Sequence, residues 1–234
     1  MLAEQILFQG HSWHVFLRDE ADQSVVAEIF KWREYRACEE YIAHTALPII
    51  DVGAHAGFFT LYVRSLNQES KIIALEPEPE NLKALRWHIA ENRLRGVEVL
   101  AAALAEKTGK RWLKISPDSH NHQLIAKREK GNEQNFLSVA ALDFQSVLDK
   151  ARAEKVGLIK MDIEGAEIEV IKSWSDEDFY KIGAIILEYH NYTGRTDKML
   201  EETLRTHGFG VQLFPSKFDK RMGFLWAVNK RFAK

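Results

Sequence analysis

The chain has 234 residues, 46% of them hydrophobic, which suffices for one substantial core or for one domain with a small extension. Its 32 Lys and Arg against 34 Asp and Glu give a formal charge of -2, so no overall field exists to hold a polyanion, and nucleic acid is not expected as a partner. Cys38 is the only cysteine, which excludes an internal disulfide and a cysteine-based zinc site; with no signal-peptide pattern and no long apolar run, a cytoplasmic protein with no membrane partner is expected.

Residues 5–30 carry three apolar patches, "ILFQG", "WHVFLRD" and "VVAEIF", whose polar breaks predict short antiparallel strands. "REYRACEEYIAHTA" predicts a helix whose Arg and Glu residues form a solvated face. Residues 1–46 thus read as a small N-terminal β/α extension packed on a domain covering 47–234. From Leu47 onward apolar runs alternate with helical spacing: "LPIIDVG", "FFTLYVRSL", "KIIALEP", "NLKALRWHIAENRL" and "VEVLAAAL". Repeated β-α units predict a mostly parallel sheet. "RWLKIS" and "FLSVAAL" predict strands bracketing a polar excursion, residues 117–135, that suits a mobile loop. The rhythm resumes with "VGLIKMD", a helix, and "GAIILEYH". A helix over 196–207 then precedes "FGVQLF" and "GFLWAVN", whose short connection predicts an antiparallel hairpin.

In "PIIDVGAHAGFFTLYV" a buried strand meets a glycine turn and a helix. Gly53 would let backbone approach a ligand, Gly57 would allow tight strand-helix packing, and the helix start offers free N–H groups. The same glycines also serve a sharp βα turn with no ligand at all. Glu76, closing "KIIALEP", suits the two ribose hydroxyls of an adenosine group. Only one glycine, three residues and a second glycine occur, not the G-x-G-x-x-G of a pyrophosphate cradle. A nucleoside without phosphates, with an amino-acid tail and positive charge near Asp51, fits better, as in S-adenosylmethionine.

With the glycine turn, the acid of the second strand and "IKMDIEGAE" in this order, residues 48–190 resemble the FkbM family of S-adenosylmethionine-dependent methyltransferases. The stretch Lys160 to Glu167 is the most particular mark. The resemblance implies an α/β, Rossmann-like class I fold with a seven-stranded, mostly parallel sheet and a reversed last strand. It also implies methylation of a hydroxyl oxygen, S-adenosylhomocysteine as product, contact of Asp51, Gly53 and Gly57 with the methionine part, and Glu76 as ribose ligand. His55 either contacts the cofactor or is a solvent-facing turn histidine; Asp143 either approaches the adenine amine or caps the helix "DFQSVLDKA". Ala102 and Ala103 would end the third strand near adenine, as small packing residues.

Asp162 should stand at the carboxyl end of the fourth strand, where open parallel sheets place ligands, and is assigned first to positioning the cofactor and second to base action. Lys160 shares its side of the strand and would offset the charge or orient an acceptor. Glu164 lies on the turn toward the acceptor, and Glu167 belongs to the helix start. His190, ending "AIILEYH", is either the general base or a strand-end histidine bonded to backbone. Asp162, Glu164, Glu188 and His190 could converge on a divalent cation, but no tight ligand spacing marks one and no metal is predicted. His120 and His122 reach over the site from the loop or are simply solvated. The expected activity is O-methylation of a small-molecule hydroxyl acceptor, sugar or polyketide-like. The alternatives are N- or RNA methylation on the same fold, or a non-catalytic cofactor-binding interaction module.

Overall fold

The structure, a computed structural model, describes residues 2–116, 123–125, 135–191, 194–217, 219 and 221–232. The first two apolar patches form a hairpin of β1 (Leu2–Phe8) and β2 (His11–Leu17), antiparallel as expected. The third patch is not a strand. Asp19 caps a helix, α1 (Glu20–Val26), its side chain accepting from the Asp22 N–H at 2.9 Å, and a π turn continues it over Ala27–Lys31. Asp22 and Ile29 are buried at a helical spacing of seven, and a six-residue apolar run cannot distinguish that stripe from a strand. A 3₁₀ turn (Glu34–Cys38) and α2 (Glu39–His44) follow.

The core alternates β3 (Ile49–Val52), α3 (Phe58–Leu66), β4 (Ile72–Leu75), α4 (Pro79–Glu91) and β5 (Val97–Leu100). The third strand stops at Leu100, earlier than "VEVLAAAL" suggests, because Ala103–Leu104 (β6) leaves it for a second sheet. That sheet, β6-β9-β7-β8, holds β7 (Gly109–Lys114), β8 (Gln123–Ile125) and β9 (Phe136–Leu142). Most of the polar excursion expected as a mobile loop, with His120 and His122, lies outside the described residues. The chain then forms α5 (Phe144–Ala151), β10 (Val156–Met161), α6 (Glu167–Ser173), α7 (Asp176–Lys181), β11 (Ile182–His190), α8 (Thr196–Thr206), β12 (Phe209–Pro215) and β13 (Met222–Asn229).

The main sheet has seven strands in the order β12-β13-β11-β10-β3-β4-β5, with β13 alone running against the others. The order reverses between β3 and β10, the point at which open α/β sheets open a crevice at their carboxyl ends. Both faces are covered, as period-two alternation shows. Ile49, Ile72, Leu158 and Ile186 pack with the N-terminal residues and α3, while Ile50, Ile73, Ile159 and Ile185 pack on α5, α6, α7 and α8. Among the described residues no helix is long and apolar enough to cross a membrane.

Residues before β3 share the core rather than hang from it: Trp13, Val15, Leu17, Ile29, Tyr35, Cys38 and Ile42 pack with Phe58, Phe59 and Tyr62. His88 ties the hairpin to the glycine turn, since its Nε2 accepts from the Phe16 N–H at 2.9 Å and its Nδ1 donates to the Ala56 carbonyl at 2.8 Å. Burial lowers its pKa, which keeps the ring neutral for that two-sided role. Replacing His88 with Ala should therefore cost about 2–4 kcal/mol of stability, read as a lower urea midpoint with unchanged slope. A wild-type midpoint would show that this bridge contributes nothing.

Candidate active site

A cavity of about 990 Å³ opens over the carboxyl ends of β3, β4, β10 and β11. Its first pole is built by the turn after β3. Gly53 has φ +71, and a Cβ there would overlap the Asp162 carbonyl oxygen, so the close approach of two strand ends requires glycine. Gly57, at φ +89, is required by packing: a Cβ would lie 2.5 Å from Leu85 Cδ1. Gly53 lines the cavity and Gly57 does not.

Glu76 lines the same pole and is 5% exposed. Its Oε2 accepts from the His55 N–H and its Oε1 from the Glu78 N–H, both at 2.8 Å, while burial pushes the carboxyl up to about 7. Two backbone donors and the Asn81 side chain fix the group, a buried acceptor at the strand end that suits a vicinal diol. His55 lines the cavity too, but it is not a solvent-facing turn residue: it is buried, and its Nε2 accepts from Arg18 Nη2 at 3.0 Å.

Between the poles stands Lys160, 4% exposed. Its ammonium donates to the Gly53 carbonyl at 2.8 Å and lies 3.5 Å from Asp51 Oδ1 and 3.9 Å from Asp162 Oδ2. Parallel register explains the first pair, since Lys160 sits directly beside Asp51 across β10 and β3. Asp51 is fully buried, with Oδ2 accepting from Thr60 Oγ1 at 2.9 Å, and does not line the cavity; burial raises its pKa and Lys160 opposes that. The structure thus seats Asp51 beneath the turn and outside the cavity lining, where it holds Lys160 and α3.

The second pole is acidic. Asp162, Glu164 and Glu188 line it with Glu28 and Glu34 from the N-terminal residues. Burial first, then repulsion from Asp162, pushes Glu164 up to about 8 and Glu188 up to about 10; Glu34 rises to about 7 through burial and Glu28. Glu164 holds a left-handed backbone, φ +55, costly for a residue with a Cβ. Glu167 explains how that turn persists: fully buried, its Oε1 accepts from the Ile163 N–H at 3.0 Å and the Gly165 N–H at 3.3 Å.

Two expected residues stand elsewhere. His190 does not line the cavity; it is 3% exposed behind Glu164, its Nε2 3.8 Å from Glu164 Oε2, and burial lowers its pKa. Asp143 caps α5, accepting from the Ser146 N–H at 2.8 Å and Thr108 Oγ1 at 2.9 Å, outside the cavity lining. Of the two small residues, Ala103 lines the cavity and Ala102 does not. Sequence reasoning does not find Glu28 and Glu34 as site residues, because the side of a helix that faces a cavity is decided by packing that no local pattern records. Among the described residues no group of three or more His, Cys, Asp and Glu side chains is arranged to hold a metal ion.

Residues 51–217 match the Methyltransferase FkbM domain. Over 191 residues the chain is 26% identical to Methyltransferase sdnD of Sordaria araneosa, spanning 70% of this chain and 73% of that one. It is likewise 26% identical over 192 residues to the 31-O-demethyl-FK506 methyltransferase FkbM of Streptomyces tacrolimicus, spanning 70% and 72%. Its fold is similar to that of a Streptococcus mutans protein solved in complex with SAH, with a TM-score of 0.51 and 10% identity over 84% of this chain and 97% of that one.

The acidic pole has a consequence for stability. Folding raises the Glu188 pKa from 4.5 to about 10, so the folded state binds a proton that the unfolded state releases, and stability falls as pH rises through that window. Glu188→Gln should therefore stabilise the ligand-free protein more at pH ~8.5 than at pH ~5, by about 1 kcal/mol or more, read from thermal midpoints. An equal effect at both pH values would contradict the assignment.

Proposed function

The chain belongs to the FkbM methyltransferase family, which makes it an S-adenosylmethionine-dependent methyltransferase on the Rossmann-like class I fold, and from that premise we propose that it methylates a hydroxyl oxygen of a small metabolite. The observation that carries the reading is Glu164: a largely buried carboxyl on the cavity wall next to Asp162, pushed up to about 8, in the range where a group can take a proton at working pH. The name of the Streptomyces tacrolimicus relative states an oxygen acceptor for that protein and supports oxygen here. A cavity of about 990 Å³ is the size of a small-molecule site, and the balanced charge of the chain gives RNA no general hold. A single, buried cysteine is in line with a cytoplasmic setting.

When bound, S-adenosylmethionine supplies an electrophilic methyl group on a positively charged sulfur. Glu76 accepts the ribose hydroxyls, and the cramped turn at Gly53 brings backbone against the ligand. Asp162, on the cavity wall, would complement the positive end, favouring binding more than rate, because that charge disappears as the methyl group moves. Lys160 holds the Gly53 carbonyl and Asp162 in fixed relation. Glu164 takes the acceptor proton at a carboxylate oxygen, while His190, buried behind it, acts through Glu164 rather than on the acceptor. Fixed geometry contributes most of the rate, potentially about 7–11 kcal/mol, and proton removal adds a factor of about 10²–10⁴.

Labelled-methyl transfer into a metabolite extract, with the product isolated and its methylated atom located, tests the reading. Label should appear on oxygen. Glu164→Gln should lower turnover by about 10²–10⁴ while keeping S-adenosylhomocysteine affinity within about twofold, and Glu76→Ala should weaken that affinity by about 10–100-fold. The kcat/KM of the wild-type enzyme should rise with pH toward about 8 as Glu164 of the free enzyme loses its proton, a limb the Gln variant lacks. Label on nitrogen or carbon, or a fully active Glu164→Gln enzyme, would sink the proposal.

A further inference from the structure

The family match begins at residue 51, yet much of the cavity wall at the acidic pole comes from before it. The segment after α1 passes through the π turn at Ala27–Lys31 and a left-handed Arg33, φ +53, into the 3₁₀ turn. It contributes Glu28, Trp32, Glu34 and Tyr35 to the lining. These residues lie before the matched range and line the same cavity as Glu188, with Tyr35 packed against Phe224.

Glu34 and Glu188 are the two acids that matter most. Both line the cavity, Glu188 largely withdrawn from water and Glu34 half-buried, and among the described residues neither has a hydrogen-bond or ion-pair partner. Carboxylates desolvated without a donor are costly, and Glu34 further raises the pKa of Glu188. The nearby cations are committed elsewhere: Arg33 pairs with Glu39, and Lys160 pairs with Asp51 and the Gly53 carbonyl. Arg36 and Lys217 also line the cavity but are exposed at its solvent side. A second feature points the same way. Trp32 and Phe214 stand 55% and 44% exposed on the lining, Tyr35, next to Glu34 in the chain, packs edge-on against Phe224 at 5.2 Å, and Phe224 is the cross-strand partner of Glu188, so ring surface adjoins the unpaired acids. Carboxylates beside aromatic rings favour an organic cation over a neutral polyol.

We propose that the acceptor carries a protonated amine as well as its hydroxyl, the amine held between Glu34 and Glu188 against the wall of Trp32, Tyr35 and Phe224, and the hydroxyl directed to Glu164. This inference rests on the methyltransferase reading. The amine is a handle and not the nucleophile, since a protonated nitrogen has no lone pair to attack with. Amino sugars and amino alcohols are the class that satisfies both ends.

Calorimetric titration of cyclohexylamine and of cyclohexanol into the protein saturated with S-adenosylhomocysteine, at pH ~7.5, compares one ring with and without the charge. The amine should bind at least about tenfold more tightly, and the Glu34→Gln/Glu188→Gln double variant should lose that preference while still binding S-adenosylhomocysteine. Glu34→Gln alone, on the N-terminal wall, should reduce it, and serves if the double variant fails to fold. Equal binding, no binding of the amine, or a preference that survives substitution would overturn the proposal. Failure of the methyltransferase reading would show separately, as no heat in the first titration with S-adenosylhomocysteine.

Discussion

Lys160 sits on a central strand with its ammonium group 2.8 Å from the Gly53 carbonyl, 3.5 Å from Asp51 and 3.9 Å from Asp162, and the floor of the cavity is arranged around that charge. Removing one partner from a buried ion pair typically costs about 3–5 kcal/mol, because the other charge is left without water or counterion. Here the loss would spread further. Asp51 anchors α3 through Thr60, Gly53 shapes the nucleoside pole, and Asp162 opens the acidic pole, so one cation couples the β3 turn to the end of β10. The strand order places these two ends side by side, and parallel register puts Lys160 opposite Asp51.

That arrangement leaves the acidic pole short of positive charge. Lys160 is engaged at the floor, while Glu34, Glu164 and Glu188 are raised by burial and by neighbouring carboxylates. Near neutrality in the ligand-free protein Glu188 holds its proton, Glu164 mostly does, and Glu34 is near half-titration. A ligand bearing positive charge restores their ionised form, so cofactor and acceptor binding are linked to proton release. In the proposed mechanism, the same repulsion that makes the pole costly to fold keeps Glu164 close to the pH at which it exchanges a proton, a sacrifice of stability for chemistry common at active sites.

The features legible in the sequence are those set by neighbours along the chain. The glycine turn, the acid closing the second strand, and Lys160, Asp162 and Glu164 around one strand end follow from local spacing, and so does the terminal hairpin. What stayed hidden depends on depth and on distant packing. Strand periodicity gives the face of His190 but not that Glu164 would cover it; Asp51 has the sequence position of a ligand-binding acid and is held by Thr60 of the helix that follows it. The patch "VVAEIF" became a helix because Asp19 caps it and Asp22 pairs with Arg18 at 2.7 Å, contacts that outweigh β propensity in a short run. Glu34 reads in the sequence as part of a solvated face, because only the folded wall determines which side of it meets the cavity.

All of this chemistry depends on one cavity having a nucleoside pole at Glu76 and a methyl-transfer pole at Asp162 and Glu164, joined through Lys160. A crystal structure of the complex with S-adenosylhomocysteine would show whether the ligand spans both. Ribose hydroxyls should lie on the Glu76 carboxylate, with the sulfur directed toward Asp162 and Glu164. Ribose bound away from Glu76, or a sulfur facing away from the acidic pole, would contradict that division of the cavity.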